Sequence, residues 1–568
     1  MDKITGSLLK SFTEQCELDR LPESTQFEHF ANYSILSKQF RGSFELDEVH
    51  SGSGGDCAID GLYVLVNGRL VNDSDELREI VETSGHLDAE IGFVQTKTTS
   101  SFSGADIGAF IHGIKDFLSD EPKLVQNETI KAKKDLWEDI ILMSSYMVNR
   151  RPVCKMYYVC TGKWVNDQNL SAVINLGTNE VDEIGIFETV TFEPCGSSEI
   201  QKLFHETKNK LSSTITFLNR ITLPDIEGVS EGYLGVIPLS EYLKLIQDEN
   251  KTIHSIFDDN VRDFQGDNPV NKKIKGTLED KQFDIFCVLN NGVTVVASSI
   301  TPAGNRFTIR DYQVVNGCQT SHILHECQNI EGIEQVQVPI KIVVTANEDI
   351  KTSITLATNS QTEVKTEQLE ALSIFQKQLE LYYSAEKTSI PLYYERRSQQ
   401  YNSVSGIKRN QVISIPIQIK SFASMFLNSP HLVSGYYGTI VKRFSGRIFA
   451  DGHKYLPYYV SSLCYYRVEQ FFRSGELKTE NKKARFHIML IVRLLGMGEE
   501  LDYINSNKIE KKAEVFKKLL LNEPEALAMF KKAESIFENS GLDMDKKQYK
   551  SESETELLIS AYKQLKSN

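Results

Sequence analysis

Apolar residues recur at helical spacing through "STQFEHFANYSILSKQF", where Phe27, Phe30, Ala31 and Ile35 fall on one stripe and predict a buried helix face. The pattern then changes period. "FELDEVH", "LYVLV" and "IGFVQTK" read as strands, with "SDELREIVET" between them as a capped helix. A helix "GADIGAFIHGIKDFL", a strand "KMYYVCTG" and a helix "SEIQKLFHETKNKL" follow. This alternation predicts an α/β sheet domain over residues 1–218. Strand-like "FDIFCVLNNGVTVVA", "FTIRDYQVV" and "VPIKIVVTA" lie among helices and predict an α/β or α+β domain over 219–450. From 451 to 568 helical patterning dominates, as in "KIEKKAEVFKKLLL" and "PEALAMFKKAESIFEN". The expected fold class is therefore α/β, multidomain, with a helical C-terminal region.

The length of 568 residues exceeds what one core supports, and 40% hydrophobic with 25% charged residues is the balance of a globular chain. No apolar run reaches the length of a membrane span, and the first residues carry no secretory apolar segment. These features predict a cytoplasmic protein without a membrane partner. Nine cysteines lie scattered with no CxxC pair, which argues against a disulfide framework and a cysteine zinc site. A net charge of −14 opposes a broad, non-specific grip on nucleic acid and confines such contact to a local patch or a bound cation.

Candidate chemistry concentrates in "SGSGGDCAIDGLYVLV" and "IGFVQTKTT". Strand alternation puts Asp60 on the face of Leu62, Val64 and Val66, and puts Gln95 and Lys97 together on the second strand. A carboxylate and an ammonium beside apolar neighbours are costly unless they are paired or bind a metal. A carboxylate oxygen with an amide oxygen suits Mg²⁺, and Lys97 is placed to orient or deprotonate a metal-bound water and offset phosphate charge. The expectation is phosphodiester hydrolysis. The plain alternative is a polar strand end with solvated side chains.

The helical Glu28 in "FEHFA", Asp60 after the glycine-rich turn and Gln95-x-Lys97 in "QTK" together resemble the PD-(D/E)XK nuclease fold, in the Mrr-like variant with Gln in place of an acid. The resemblance implies a restriction-endonuclease-like domain with Asp60, Gln95, Lys97 and Glu28 as catalytic set. It makes Asp60, Gln95 and Glu28 the ligands of Mg²⁺ or Mn²⁺, with Asp56 as a competing ligand.

Further on, "IFDDNVRDFQG", "LNNGVTVVA", "YQVVNGCQTSHIL", "TNSQTEVKTEQLEAL" and "YYERRSQQY" resemble, in order and spacing, the abortive-infection phage-resistance (AIPR) family. That resemblance implies anti-phage defence, with the central domain regulating the nuclease. Within it, the turn from Asn316 and Gly317 to Gln319 and Thr320 opens a helix whose free amides favour anions, and is loosely similar to DGQHR and ParB-like domains that approach a nucleotide phosphate. Arg396 and Arg397 are candidates to add positive charge there. Plainer readings compete: a helix cap at 316–320, a hairpin at "NNG", a core cysteine at Cys318, an ordinary pair in His322 and His325, and core tyrosines in "KYLPYYVSSLCYYRVEQFF". The expected partners are nucleic acid, DNA ahead of RNA, a candidate nucleotide, and further copies of the chain. The competing function is a non-catalytic nucleic-acid- or nucleotide-binding sensor.

Overall fold

The computed structural model describes residues 1–567 apart from 41, 53, 149, 209–210, 248–250, 252, 254–255, 257–268, 348–349, 352, 355–356, 358–365, 397–399, 402–403, 405, 434–436 and 543–549. The chain divides into two compact units: Met1–Leu9 with Pro22–Thr366, and Lys10–Leu21 with Glu367–Asn568. Helix α1 (Lys3–Cys16) contributes to both.

The first unit begins with α2 (Glu23–Gln39), followed by β1 (Gly61–Val66), β2 (Arg69–Leu70), α3 (Ser74–Ser84) and β3 (Ala89–Lys97). Then come α4 (Gly104–Leu118), α5 (Glu128–Leu142), β4 (Val153–Cys160), α6 (Gln168–Asp182), β5 (Thr189–Cys195) and α7 (Ser197–Lys208). The strands form one mixed sheet in the order β2-β1-β3-β4-β5. β1 and β3 are antiparallel, with Gly61 opposite Val94, whereas β3, β4 and β5 run parallel. Leu62, Val64, Ile91, Phe93 and Met156 face one core with Ile107, Phe110, Ile114 and Trp137 from the helices. The predicted stripe of α2 is buried, and Phe30 meets Phe204 of α7 at a ring distance of 4.8 Å.

A second sheet in this unit uses β6 (Ser212–Thr216), β7 (Asn219–Thr222), β8 (Glu231–Pro238), β9 (Val293–Ala303), β10 (Arg306–Asn316) and β11 (Gln337–Val344) in the order β6-β10-β9-β11-β8-β7. Its β9–β11 pair is parallel. Helices α8 (Leu239–Ile246), α9 (Pro269–Glu279), α10 (Phe286–Leu289) and α11 (Cys318–Glu326) accompany it. Two sequence expectations are corrected. "FELDEVH" is a 3₁₀ turn over Leu46–Glu48, closed by the Glu48 carboxylate accepting from the Glu45 amide at 2.8 Å, and only His50 bridges to Gly61. The run "FCVL" is helix α10, so "NNG" links a helix to β9 and makes no hairpin.

The second unit is mostly helical: α12 (Thr366–Ala385), α13 (Ile415–Phe426), α14 (Tyr437–Arg443), α15 (Leu456–Arg473), α16 (Arg485–Met497), α17 (Asn507–Leu521), α18 (Glu523–Asn539) and α19 (Glu552–Ser567). A short parallel pair, β12 (Tyr393–Glu395) and β13 (Val412–Ser414), completes it. The tyrosines of α15 pack the core: Tyr458 is fully buried and stacks on Phe422 with ring centroids 3.9 Å apart. Two buried guanidiniums satisfy helix-end carbonyls. Arg467 donates to Leu520 and Leu521 at 2.8 and 2.9 Å, and Arg493 donates to Met425 and Gly498 at 2.7 and 2.9 Å.

One close approach joins the first unit's helices to its glycine-rich turn. Cys57 and Ala58 both adopt positive φ, and α4 passes so near that a Cβ on Gly113 would lie 1.8 Å from the Cys57 carbonyl oxygen. No rotamer change relieves a clash with backbone. Gly113→Ala is therefore expected to lower stability by about 1–3 kcal/mol, the usual cost of overpacking, read as a drop in melting temperature. An unchanged melting temperature would show that the turn is free to move.

Candidate functional site

Asp60 sits immediately before β1, opposite the end of β3. Its amide donates to the Val94 carbonyl at 2.8 Å, which continues the β1–β3 register and brings Asp60 across from Gln95. Alternation then places Asp60, Gln95 and Lys97 on one face, as the sequence pattern predicts. Asp60 Oδ2 accepts three hydrogen bonds: from Gln95 Nε2 at 2.7 Å, the Thr96 amide at 2.7 Å and Thr96 Oγ1 at 2.9 Å. The Asp60 carbonyl accepts from the Ser51 amide and from Asn32 Nδ2, both at 3.1 Å. The loop, strand and helix are thereby tied at one residue.

Burial pushes the Asp60 carboxyl up to about 6. The Glu28 charge pushes in the same direction, while the two Thr96 hydrogen bonds and the Lys97 charge oppose it. Glu28 lies on α2 one turn before Asn32, and its Oε2 meets His50 Nε2 at 2.7 Å. The His50 ring is 4.2 Å from that of His29. Gln95 is 2% exposed, and its Oε1 is buried without accepting a hydrogen bond. Asp56 has a local role: its Oδ1 accepts from the Ala58 amide at 3.0 Å and holds the positive-φ turn. Among the described residues no group of three or more His, Cys, Asp and Glu side chains is placed to hold a metal. An oxygen site here would consequently depend on the Gln95 amide oxygen, whose missing partner fits that use.

Thr96, Asn32 and His50 escape a reading based on sequence. Thr96 is the unmarked middle of "QTK", although its amide and hydroxyl both hold Asp60. The one available signal for Asn32 is its spacing of four from Glu28 on a predicted helix. His50 falls in a run whose pattern predicts a strand, which does not form.

The other candidates have local partners or lie outside the described residues. Asn316 ends β10, and Gly317 has φ +96° before α11, where Ser321 Oγ donates back to its carbonyl at 2.7 Å. Gln319 Oε1 accepts from Asn271 Nδ2 at 2.6 Å, and Thr320 is buried. These bonds are those of a packed helix start. Cys318 is buried, and His325 Nε2 lies 2.8 Å from the Lys251 carbonyl. Arg396 belongs to the second unit, where it meets Glu380 at 2.9 Å. Arg397 lies outside the described residues, as does most of "IFDDNVRDFQG" and "TNSQTEVKTEQLEAL".

The raised Asp60 value carries a definite sign. Between about pH 4 and pH 6 the folded chain keeps a proton on Asp60 that the unfolded chain has lost, so stability from this group falls as pH rises through that window. Asp60→Asn keeps the shape and removes the charge. In EDTA at about pH 8 it should be more stable than wild type by about 1–3 kcal/mol, with the difference closing below about pH 4. Melting curves across pH check this, and a difference that ignores pH would show that burial is not what disfavours the charge.

Comparison with known proteins bears on the later part of the chain. The family model described as AIPR protein matches residues 257–540. No curated protein and no solved structure matches the chain. Among the described residues no helix is long and apolar enough to cross a membrane. The match spans half of the chain and contains the β9, β10 and β11 strands and most of the helical unit, while the Asp60 site lies before it. The chain belongs to the AIPR family, and that membership suggests a role in abortive-infection phage defence.

Proposed function

We propose that the first sheet domain is a metal-dependent nuclease that hydrolyses phosphodiesters, DNA ahead of RNA, in abortive-infection defence, and that the AIPR region regulates it in the cytoplasm. The observation carrying this reading is the meeting of the Asp60 carboxylate, the unpartnered Gln95 Oε1 and Lys97 at the abutting ends of β1 and β3, with Glu28 near enough for its charge to act on Asp60. Asp60, Gln95 and Glu28 would hold Mg²⁺ or Mn²⁺, and the cation would supply the Lewis acidity a phosphodiester needs.

The chain's own groups divide the remaining work. Thr96 and the Gln95 amide nitrogen fix Asp60 Oδ2, leaving Oδ1 as the oxygen free for the cation. The same bond occupies the Gln95 amide nitrogen and leaves Oε1 without a hydrogen-bond partner. His50 holds one oxygen of Glu28. Lys97, half-buried at the strand end, orients the attacking water and donates to a phosphate oxygen as negative charge develops.

A second reading, a fold that grips nucleic acid without cutting it, draws support from the neutral Gln95, which leaves the site one carboxylate short. Lys97 separates the two. Lys97→Ala should reduce plasmid nicking in Mg²⁺ or Mn²⁺ by about a hundredfold or more, with circular dichroism and melting temperature nearly unchanged because a half-exposed strand-end lysine contributes little stability. Full activity in both Lys97→Ala and Asp60→Ala would discard the hydrolytic role. A wild type that binds but never nicks DNA or RNA would favour the second reading.

A further inference from the structure

The charge of this chain is unevenly distributed. Residues 1–218 contain 20 Lys and Arg against 34 Asp and Glu, and so carry the entire net −14, while the remaining residues contain 43 of each sign. A domain so acidic repels a polyanion at long range and is poorly suited to gather its own nucleic-acid substrate. If it acts on phosphodiesters, another surface must supply attraction.

One stretch has the opposite character. Residues 396–450 contain eight Lys and Arg and no Asp or Glu, whereas the chain's average of 77 carboxylates in 568 residues would put about seven there. Part of this charge is neutralised locally, since Arg396 pairs with Glu380 and Lys408 with Glu17. Lys442 and Arg443 in the last turn of α14 and Arg447 just beyond it are exposed, and among the described residues none of the three is in a salt bridge. The Arg447 guanidinium lies over the Phe444 ring, 5.4 Å from its centroid, which braces it on the surface. The Arg443 charge reaches His431, whose imidazole is held below its usual range first by burial and then by Arg443, with Glu552 of α19 opposing. A bland account of Lys442 and Arg443 is compensation of the α14 dipole. It does not explain Arg447, or why 55 consecutive residues lack a carboxylate.

We propose that Lys442, Arg443 and Arg447 form a docking surface for the phosphate backbone of nucleic acid, through which the second unit supplies the attraction that the acidic first domain lacks. Its purpose rests on the nuclease reading, but its binding does not. The contacts are to backbone phosphates, so affinity should depend steeply on salt and weakly on sequence.

The test uses the full chain in EDTA and the fluorescence anisotropy of a short labelled DNA duplex, with RNA of the same sequence as a second arm. Wild type should bind, and the triple variant Lys442→Gln, Arg443→Gln, Arg447→Gln should lose about tenfold or more at low salt. Its log–log salt slope should flatten by about three, roughly one per phosphate contact. The triple Lys508→Gln, Lys511→Gln, Lys532→Gln removes the same charge from exposed positions on α17 and α18 and should bind like wild type. Equal binding by the first triple, equal loss by the second, or no binding by wild type overturns the proposal. So does a first triple that alters only self-association in sedimentation, because the acidic residues of a second copy would then be the occupant. A chain that binds through this surface but never nicks DNA or RNA with Mg²⁺ leaves the surface standing and sinks the hydrolytic role alone.

Discussion

Three donors from the end of β3 converge on one oxygen of Asp60, and the geometry of the candidate site follows from that convergence. The bonds close the β1–β3 pair beyond its last ladder step. They also use the nitrogen of the Gln95 amide, which leaves its oxygen buried and unpartnered. Asn32 reaches the Asp60 carbonyl from α2 and so sets the height of the helix that carries Glu28. Removing the convergence would free the turn, the amide and the helix together. Even so, the bonds do not outweigh the loss of solvent around the carboxylate, which remains harder to ionise than a free one. Asp60 is held in place at a cost in stability, a pattern expected where position serves chemistry.

The opposing charges of the chain have different physical reach. Desolvation acts on Asp60 over the first few ångströms, whereas a net −14 confined to residues 1–218 acts over about a Debye length, roughly 8–10 Å in ordinary salt. A substrate phosphate would meet the long-range repulsion first. Attraction from Lys442, Arg443 and Arg447, in the docking role proposed for them, would be of the same long-range kind. A lone Lys97 at the strand end would act locally, and in the proposed reaction it would serve a later stage, when the phosphate is already in place.

Much of the first sheet domain was legible because its elements are long and periodic. Helix α4 matches the predicted "GADIGAFIHGIKDFL" at both ends, with Ser103 capping it through the Asp106 amide. The convergence of Asp60 with Gln95 was legible for the same reason, since alternation along two strands fixes which side chains share a face. Short apolar runs failed. "FCVL" satisfies strand and helix equally over four residues, and tertiary packing settled it as helix. Thr96 was illegible because its contribution comes largely through a backbone amide, which every residue possesses. The acid-free stretch 396–450 was hidden by averaging, since a chain-wide net charge sums an acidic region with one that is locally basic.

Gln95 gains a physical rationale from the same electrostatics. The Glu28 charge already raises the cost of ionising Asp60, and a third carboxylate at the buried position 95 would add to it. A neutral amide avoids that repulsion and can donate to Asp60, which an ionised glutamate cannot do. For the cation proposed here, fewer negative ligands would give weaker attraction, and affinity would then rest on how firmly the remaining oxygens are held. The Thr96, Asn32 and His50 contacts provide that rigidity. In the proposed site, preorganisation would take over part of what an additional charge would supply.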